Sequence, residues 1–132
     1  MALAKNTRKF RDLDLSFKIN PFSKDLYLKK DEEAVKTALK HLILTKNFER
    51  PFHPEVGTQI HTLLFENFSP AVKLAMEKTI QDAINKFEPR VNLNNVSIRE
   101  MQENNNLEVT INFTLKNINR PITLTTILTR VR

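Results

Sequence analysis

The pattern of apolar and polar positions changes along the chain. Apolar and polar residues alternate over residues 13–19, a period of two that predicts a short half-buried strand. Asp31 then precedes apolar residues at helical spacing. This spacing predicts a helix that Asp31 caps and that ends near Thr45.

The middle of the chain predicts an ordered loop followed by a short helix. Residues 46–57 contain two prolines, which remove backbone donors and disfavour helix in the residues before them. Thr58 is placed to cap a short helix that carries the apolar residues Ile60, Leu63 and Leu64.

A longer helix has clear signals at both ends. Ser69 followed by Pro70 is typical of a helix start. Apolar residues then recur at helical spacing for more than four turns, and Pro89 requires the helix to end by about Glu88. The sequence therefore predicts an amphipathic helix that packs against other elements.

After this helix the period returns to two. Val96 and Ile98 indicate one strand, residues 107–115 a second and residues 122–131 a third. The third strand has apolar residues at both odd and even positions, which predicts either a bulge or apolar contacts on both faces. The element order predicts an α+β fold: an amino-terminal strand, two to three helices and a carboxy-terminal antiparallel β-meander packed on the long helix.

Composition limits the classes of function. Residues 1–132 have the length and the 40% hydrophobic content of one globular domain. There is no cysteine and Gly57 is the single glycine, which excludes disulfides, thiolate metal sites and glycine-rich phosphate loops. No apolar run is long enough to cross a bilayer or to form a secretory leader. We therefore expect synthesis in the cytosol and no membrane partner.

The basic excess lies mainly at the amino terminus. The net charge is +6, and residues 1–11 form a basic arm that includes Phe10. Such an arm can bind nucleic acid, but a stacking site normally interleaves several aromatic side chains with the cations. A solvated, flexible arm is the preferred interpretation, with no nucleic-acid partner expected. A nucleic-acid-binding module remains the alternative, and steep loss of affinity with salt would distinguish it.

Catalytic and metal-binding constellations are absent from the sequence pattern. A glycosidase requires a pair of carboxylates across a cleft, and Glu55, Glu66 and Glu88 are the acids next to apolar motifs, without a spacing that specifies a pair. The histidines lack the close spacing of a zinc motif; they are His41, His53 and His61. The sequence predicts no enzyme, no cofactor and no metal.

Two constellations are more informative. The first is a stiff, structural loop that combines prolines, an aromatic side chain of a type that is usually buried, and opposite charges. Its residues are Arg50, Pro51, Phe52, Pro54, Glu55 and Gly57. The second is Glu88-Pro89-Arg90. Either its charged side chains project from an exposed corner, where arginine can bind a partner carboxylate, or the triplet ends the helix with an internal ion pair.

These residues resemble a known family, the small baseplate wedge proteins of contractile phage tails. These proteins are also called sheath initiators and are related to a baseplate subunit of type VI secretion systems. The likeness runs from about Asp12 to the end. Its motifs, in order, are Glu33-Ala34-Val35, Leu42-Ile43-Leu44-Thr45, Arg50-Pro51-Phe52, Pro54-Glu55, Gly57, Leu64-Phe65-Glu66-Asn67 and Phe87-Glu88-Pro89-Arg90.

The resemblance implies a structural role in the virion tail baseplate, with six copies per baseplate and assembly in the host cytoplasm. It implies that Glu88, Pro89 and Arg90 bind the wedge core proteins. It also implies that strands within residues 107–131 recruit the tail sheath protein by strand exchange. The residues expected in that contact are Val109, Ile111, Phe113, Leu124, Thr125 and Ile127. Some family members carry a lysozyme label, which the carboxylate pattern does not support here.

Overall fold

The computed structural model describes residues 10–130. In chain order the elements are β1 (Arg11–Leu13), β2 (Leu28–Lys30), α1 (Asp31–Leu44), α2 (Ile60–Leu63), α3 (Pro70–Phe87), β3 (Val91–Met101), β4 (Asn106–Leu115) and β5 (Pro121–Leu128). The predicted α+β class with a carboxy-terminal antiparallel meander is confirmed. Most of the predicted basic arm, and Val131 at the end of the last predicted strand, lie outside the described residues.

Helix α3 begins and ends where the sequence predicts. The Ser69 hydroxyl accepts a hydrogen bond from the Val72 backbone N–H at 3.3 Å, and Pro70 occupies the first turn. The helix ends at Phe87, two residues before Pro89. Its buried residues are Met76, Ile80, Ala83 and Ile84. Helix α3 packs along β3, and α1 contacts both α3 and β5.

The three-stranded sheet has the order β3-β4-β5 and one buried face. Strand β4 alternates without interruption, and its five odd-numbered apolar side chains are buried. They are Leu107, Val109, Ile111, Phe113 and Leu115. Burial of each contributes about 1.5–3 kcal/mol relative to exposure, so the central strand anchors the core beneath the helices.

The structure resolves the ambiguous facing of the last strand. In β5 the even-numbered Ile122, Thr126 and Leu128 are buried, whereas the odd-numbered Ile127 is half exposed. The β4–β5 register is continuous, so the bulge considered for this strand does not occur there. The irregularity lies instead in β3, between Leu93 and Asn95.

The directions of the backbone groups in β5 follow from hydrogen bonds elsewhere in the sheet. The Ile98 N–H bonds to a side chain rather than to Val109, its register partner in β4. In an antiparallel ladder, hydrogen-bonded and non-hydrogen-bonded pairs alternate. Odd-numbered residues of β4 therefore bond to β5, and Val109 bonds to Thr126. In β5 the even-numbered residues consequently face β4, and the odd-numbered Thr125 directs its N–H and C=O away from the sheet.

The amino-terminal segment differs from its prediction. Only Arg11–Leu13 forms a strand, which pairs with β2. The alternating apolar side chains that follow are exposed rather than half-buried, and Phe17 adopts a positive φ of 52°, which breaks the extended backbone. Within residues 10–130 the partner strand β2 has only three residues. The two-stranded sheet is therefore too small to bury the apolar side chains of this segment.

Two predicted helix caps are replaced by tertiary contacts. Helix α1 has no side-chain cap: the Asp31 carboxylate instead accepts the Phe10 N–H at 3.0 Å, and Asp31 donates its own N–H to the Phe10 carbonyl. Thr58 does not cap α2, because its hydroxyl donates to the Ile43 carbonyl at 2.9 Å. Both residues tie separate segments to α1.

Candidate functional site

The Glu88-Pro89-Arg90 corner contains an internal bidentate ion pair. Arg90 Nε lies 2.6 Å from Glu88 Oε1, and the second guanidinium arm lies 2.9 Å from Glu88 Oε2. The remaining arm donates to Asp12 at 3.3 Å, and the guanidinium lies over the Phe10 ring, 5.5 Å from its centroid. The hydrogen bonds that Arg90 donates to the Glu88 carboxylate raise the pKa of Arg90, so the guanidinium stays charged.

This geometry decides between the two interpretations of the triplet. Glu88 is buried, Arg90 is partly buried and only Pro89 is exposed. The expectation that both charged side chains project into solvent is therefore wrong, and the helix stop with an internal ion pair is what forms. Because Arg90 also bonds to Asp12, the pair fixes the amino-terminal segment against the end of α3. The corner thus presents a rigid shape rather than two free charges.

The loop over residues 46–57 contains several turns, and its two ends are joined by backbone hydrogen bonding. A backbone bridge joins Lys46 to Thr58, and Thr58 donates its N–H to the Thr45 carbonyl at 2.9 Å. Gly57 has a φ of +128°, and a Cβ there would lie 2.7 Å from the Thr45 carbonyl oxygen. Glycine is therefore required, since any side chain would clash with the backbone.

The loop directs aromatic side chains outward. Phe52, interpreted from sequence as a buried type of aromatic, is 97% exposed and has a positive φ of 65°.

The loop also contains an ion pair. His53 Nδ1 lies 3.4 Å from Glu55. The pKa of the Glu55 carboxyl is lowered, first by its own backbone N–H and then by His53. The loop residues Arg50, Pro51 and Pro54 are also exposed.

The residues predicted to contact the sheath fall into two groups. Val109, Ile111 and Phe113 lie buried in the central strand β4, which is already paired with β3 on one side and β5 on the other. Thr125 and Ile127 are exposed on the edge strand β5, and Leu124 is half-buried. The accessible part of this candidate site is therefore the β5 edge.

Arg130 is a buried guanidinium that sequence analysis missed. Its side chain is only 2% exposed. Its Nε donates to the Leu64 carbonyl at 3.0 Å, and it also bonds to the Glu66 carbonyl, to Glu100 and to Asn105. These contacts tie the residues after β5 to the segment that follows α2. The sequence does contain a signal for this role. Arg130 is even-numbered, like the buried residues of β5, and a charged side chain on a buried face indicates an internal partner.

The described residues do not form a metal-binding cluster. The Glu88 carboxylate is paired with Arg90, and within residues 10–130 no three His, Asp or Glu side chains are placed to hold a metal ion together. Across the same residues, no helix has the length and apolar character needed to cross a bilayer. The site is best described as a set of surfaces formed by the corner, the loop and the β5 edge.

Comparison with known proteins identifies the family. Residues 29–120 match the family model described as baseplate wedge protein gp25. This range covers both the loop and the corner and extends through β4. The chain belongs to the baseplate wedge gp25 family. It is also 28% identical to the baseplate wedge protein gp25 of Enterobacteria phage T4 over 113 residues, which cover 86% of this chain and 85% of the T4 protein.

Solved structures share the fold of this gp25-family chain. A candidate tail lysozyme from Geobacter sulfurreducens aligns with a TM-score of 0.74 and 23% identity, over 81% of this chain and 97% of that one. A chain of the anti-feeding prophage baseplate aligns with a TM-score of 0.64 and 20% identity, over 94% and 88% of the two chains. The predicted membership of the baseplate wedge family is confirmed by the family model and the T4 relative.

Proposed function

We propose that this gp25-family chain is a non-catalytic structural subunit that joins the baseplate wedge to the tail sheath. It contacts the wedge core proteins around Glu88-Pro89-Arg90 and starts the sheath at the β5 edge. Six copies act together in each virion tail baseplate, which assembles in the host cytoplasm. The single observation that carries this proposal is the outer edge of β5, a continuous strand with outward-facing backbone groups that no other strand within residues 10–130 pairs with.

The β5 edge has the properties of a template for another strand. The N–H and C=O groups of Thr123, Thr125 and Ile127 point away from β4, as the ladder alternation requires. Strand β5 has no charged side chain and no bulge, the two features that usually protect an edge. Main-chain hydrogen bonds supply affinity in strand addition. A sheath segment can therefore extend this sheet by one strand.

The folded contacts of β5 favour addition to its edge over release of the strand. Ile122 and Leu128 are buried in the core, and Arg130 holds the end of the strand. Release of β5 would expose those side chains and leave the guanidinium contacts broken. We therefore propose that β5 stays paired with β4 while the sheath strand joins its outer edge.

The corner supports a wedge contact through its fixed shape. The exposed Pro89 lies between Glu88 and Arg90, whose ion pair holds the turn rigid. A preorganised surface loses less conformational entropy on binding. In this proposal the arginine acts by holding the corner and by offering its partly exposed guanidinium edge, instead of reaching out as a free charge.

A lysozyme activity has less support than the structural role. The likeness to the candidate tail lysozyme is at 23% identity and concerns the fold. An acid catalyst in a glycosidase needs a carboxylic acid with a raised pKa, whereas both side-chain oxygens of Glu88 accept hydrogen bonds from Arg90. The pKa of Glu55 is lowered. The ion pair at Glu88 and the lowered pKa of Glu55 therefore give no support to a glycosidase acid at either position.

We expect Arg90→Lys to weaken binding of the wedge core proteins about tenfold or more, equivalent to about 1.4 kcal/mol. Lysine keeps the charge but loses the planar fork that bonds both Glu88 oxygens. We expect the variant to remain folded, with the free energy of unfolding lowered by about 1–2 kcal/mol, because a single ammonium can still face Glu88. Pull-down by the wedge core proteins and thermal melting measure the two effects.

Pro89→Ser is the matched variant for the exposed surface. It alters the tip of the corner and leaves the Glu88–Arg90 pair in place. If the corner is the interface, both variants lose wedge binding while Pro89→Ser keeps the wild-type melting temperature to within a few degrees. Arg90→Lys could instead lower the melting temperature while the folded molecules of both variants bind the wedge normally. In that case the corner is a structural feature only and the wedge contact lies elsewhere.

A further inference from the structure

The sheet has a second edge, formed by β3, which differs from β5. Strand β3 has 11 residues, and its register with β4 is interrupted between Leu93 and Asn95. The regular part after this bulge runs over Asn95–Met101. The ladder alternation directs the backbone groups of Val96, Ile98 and Glu100 away from β4. A second strand-accepting edge would have to use these groups.

A side chain from α3 occupies the middle of this edge. Glu77 Oε1 accepts the Ile98 backbone N–H at 3.1 Å, and this contact is partly buried. Ile98 is the central residue of the regular segment Asn95–Met101. Lys73, one turn earlier on α3, places its Nζ 3.9 Å from the same Glu77 oxygen. Helix α3 packs along β3, so the carboxylate is held beside the strand.

An incoming strand cannot pair with β3 while this contact is made. It would have to displace the Glu77 carboxylate from Ile98, and on the amino-terminal side it would meet the bulge between Leu93 and Asn95. The exposed charges of Arg99 and Glu100 also lie on this strand. Bulges and charges are the usual means by which proteins protect sheet edges.

We infer that Glu77 closes the β3 edge, so that β5 of one copy cannot add to β3 of another copy of this chain. A molecule with two open and complementary edges forms head-to-tail contacts with other copies, which either close into rings or grow into filaments. This risk is greatest where several copies are held close together, because their effective concentration is high. Closure of β3 keeps β5 available for a different protein. The inference depends on the proposed function only for the identity of that protein.

Glu77→Ala tests the inference with the purified chain alone. Removal of the carboxylate frees the Ile98 N–H, and we expect concentration-dependent oligomers in sedimentation velocity that the wild type does not form. Glu77→Gln is the matched control, since its amide oxygen can accept the same hydrogen bond, and it should sediment like the wild type. Adding Thr125→Pro to Glu77→Ala should suppress the oligomers, because it removes an outward donor of β5.

The inference is overturned if folded Glu77→Ala sediments like the wild type over the full concentration range, with circular dichroism as the check on folding. It is also overturned if its oligomers persist unchanged with Thr125→Pro, because β5 would then not be the strand that adds. Should Glu77→Ala fail to fold, amide exchange of the wild type decides the matter. The Ile98 N–H should exchange at least about tenfold more slowly than the outward N–H of Glu100. Equal rates would contradict the closure of this edge by Glu77.

These results are separable from the sheath proposal. Oligomers of Glu77→Ala that depend on Thr125 support the closed β3 edge even if baseplates carrying Thr125→Pro start sheaths normally. In that case the sheath role of β5 would fail while the inference about Glu77 would stand.

Discussion

Baseplates assembled with Thr125→Pro are expected to start few or no sheaths, although the chain itself folds. The Thr125 N–H faces the open edge, so proline removes a donor that a sheath strand would use and leaves the β4–β5 ladder intact. Proline also occurs naturally at Pro121, the first residue of the same strand. Sheath number and length on purified baseplates, measured by electron microscopy, test this expectation.

Two neighbouring variants make the comparison specific. Thr125→Val keeps the backbone donor and should start sheaths at the wild-type rate, which separates backbone from hydroxyl chemistry. Thr126→Pro removes a donor that faces β4 at a buried position. This change should lower the free energy of unfolding by roughly 1–3 kcal/mol, because the carbonyl of its partner in β4, Val109, is left unpaired. Normal sheath starts with folded Thr125→Pro would contradict strand addition at β5.

Arg130→Met is expected to lower the free energy of unfolding by about 3 kcal/mol. Methionine fills similar space, but the Leu64 and Glu66 carbonyls lose their buried donor and Glu100 loses its cation. An unsatisfied buried polar group costs about 1–3 kcal/mol. For a chain of this size such a loss lowers the melting temperature by roughly 10 °C.

Arg120→Met is the control for Arg130→Met. Arg120 also pairs with a glutamate, Glu32, but its side chain is 66% exposed. Exposed ion pairs contribute about 0–1 kcal/mol, so this variant should melt within a few degrees of the wild type. Equal melting of the two variants would show that Arg130 does not hold the end of β5.

The parts of the fold that local sequence rules describe were predicted well. Ser69 and Pro70 begin α3, and Pro89 lies just past its end, because cap geometry and the missing proline donor act within a few residues. The alternation in β4 likewise predicted its buried face. These features need no knowledge of distant partners.

The parts that depend on distant partners were not predicted. Asp31 bonds to Phe10 instead of capping α1, and Arg90 uses its fork on Glu88 and Asp12. Phe52 is exposed although aromatic residues are usually buried. In each case a distant partner or a local turn conformation determines the result, and neither can be read from the spacing of apolar residues. Glu77 carried no signal at all, since its spacing from Lys73 is that of an ordinary exposed helix pair.

Truncation of the chain before β5 does not test the sheath role of this strand. A chain truncated after Asn119 would lose all of β5, and with it the buried side chains of Ile122 and Leu128. Such a chain would fail to start sheaths simply because its core is incomplete. A test that leaves the strand in place is therefore needed.

Residue-resolved amide exchange of the chain, with and without sheath protein, tests sheath binding at β5 most directly. In the free chain the N–H groups of Thr123, Thr125 and Ile127 should exchange quickly, whereas Leu124 and Thr126 are protected by β4. Strand addition predicts that sheath protein slows exchange at the three outward groups by at least about tenfold and leaves the others unchanged. Unchanged exchange at all three under conditions in which sheath protein is bound would contradict the account.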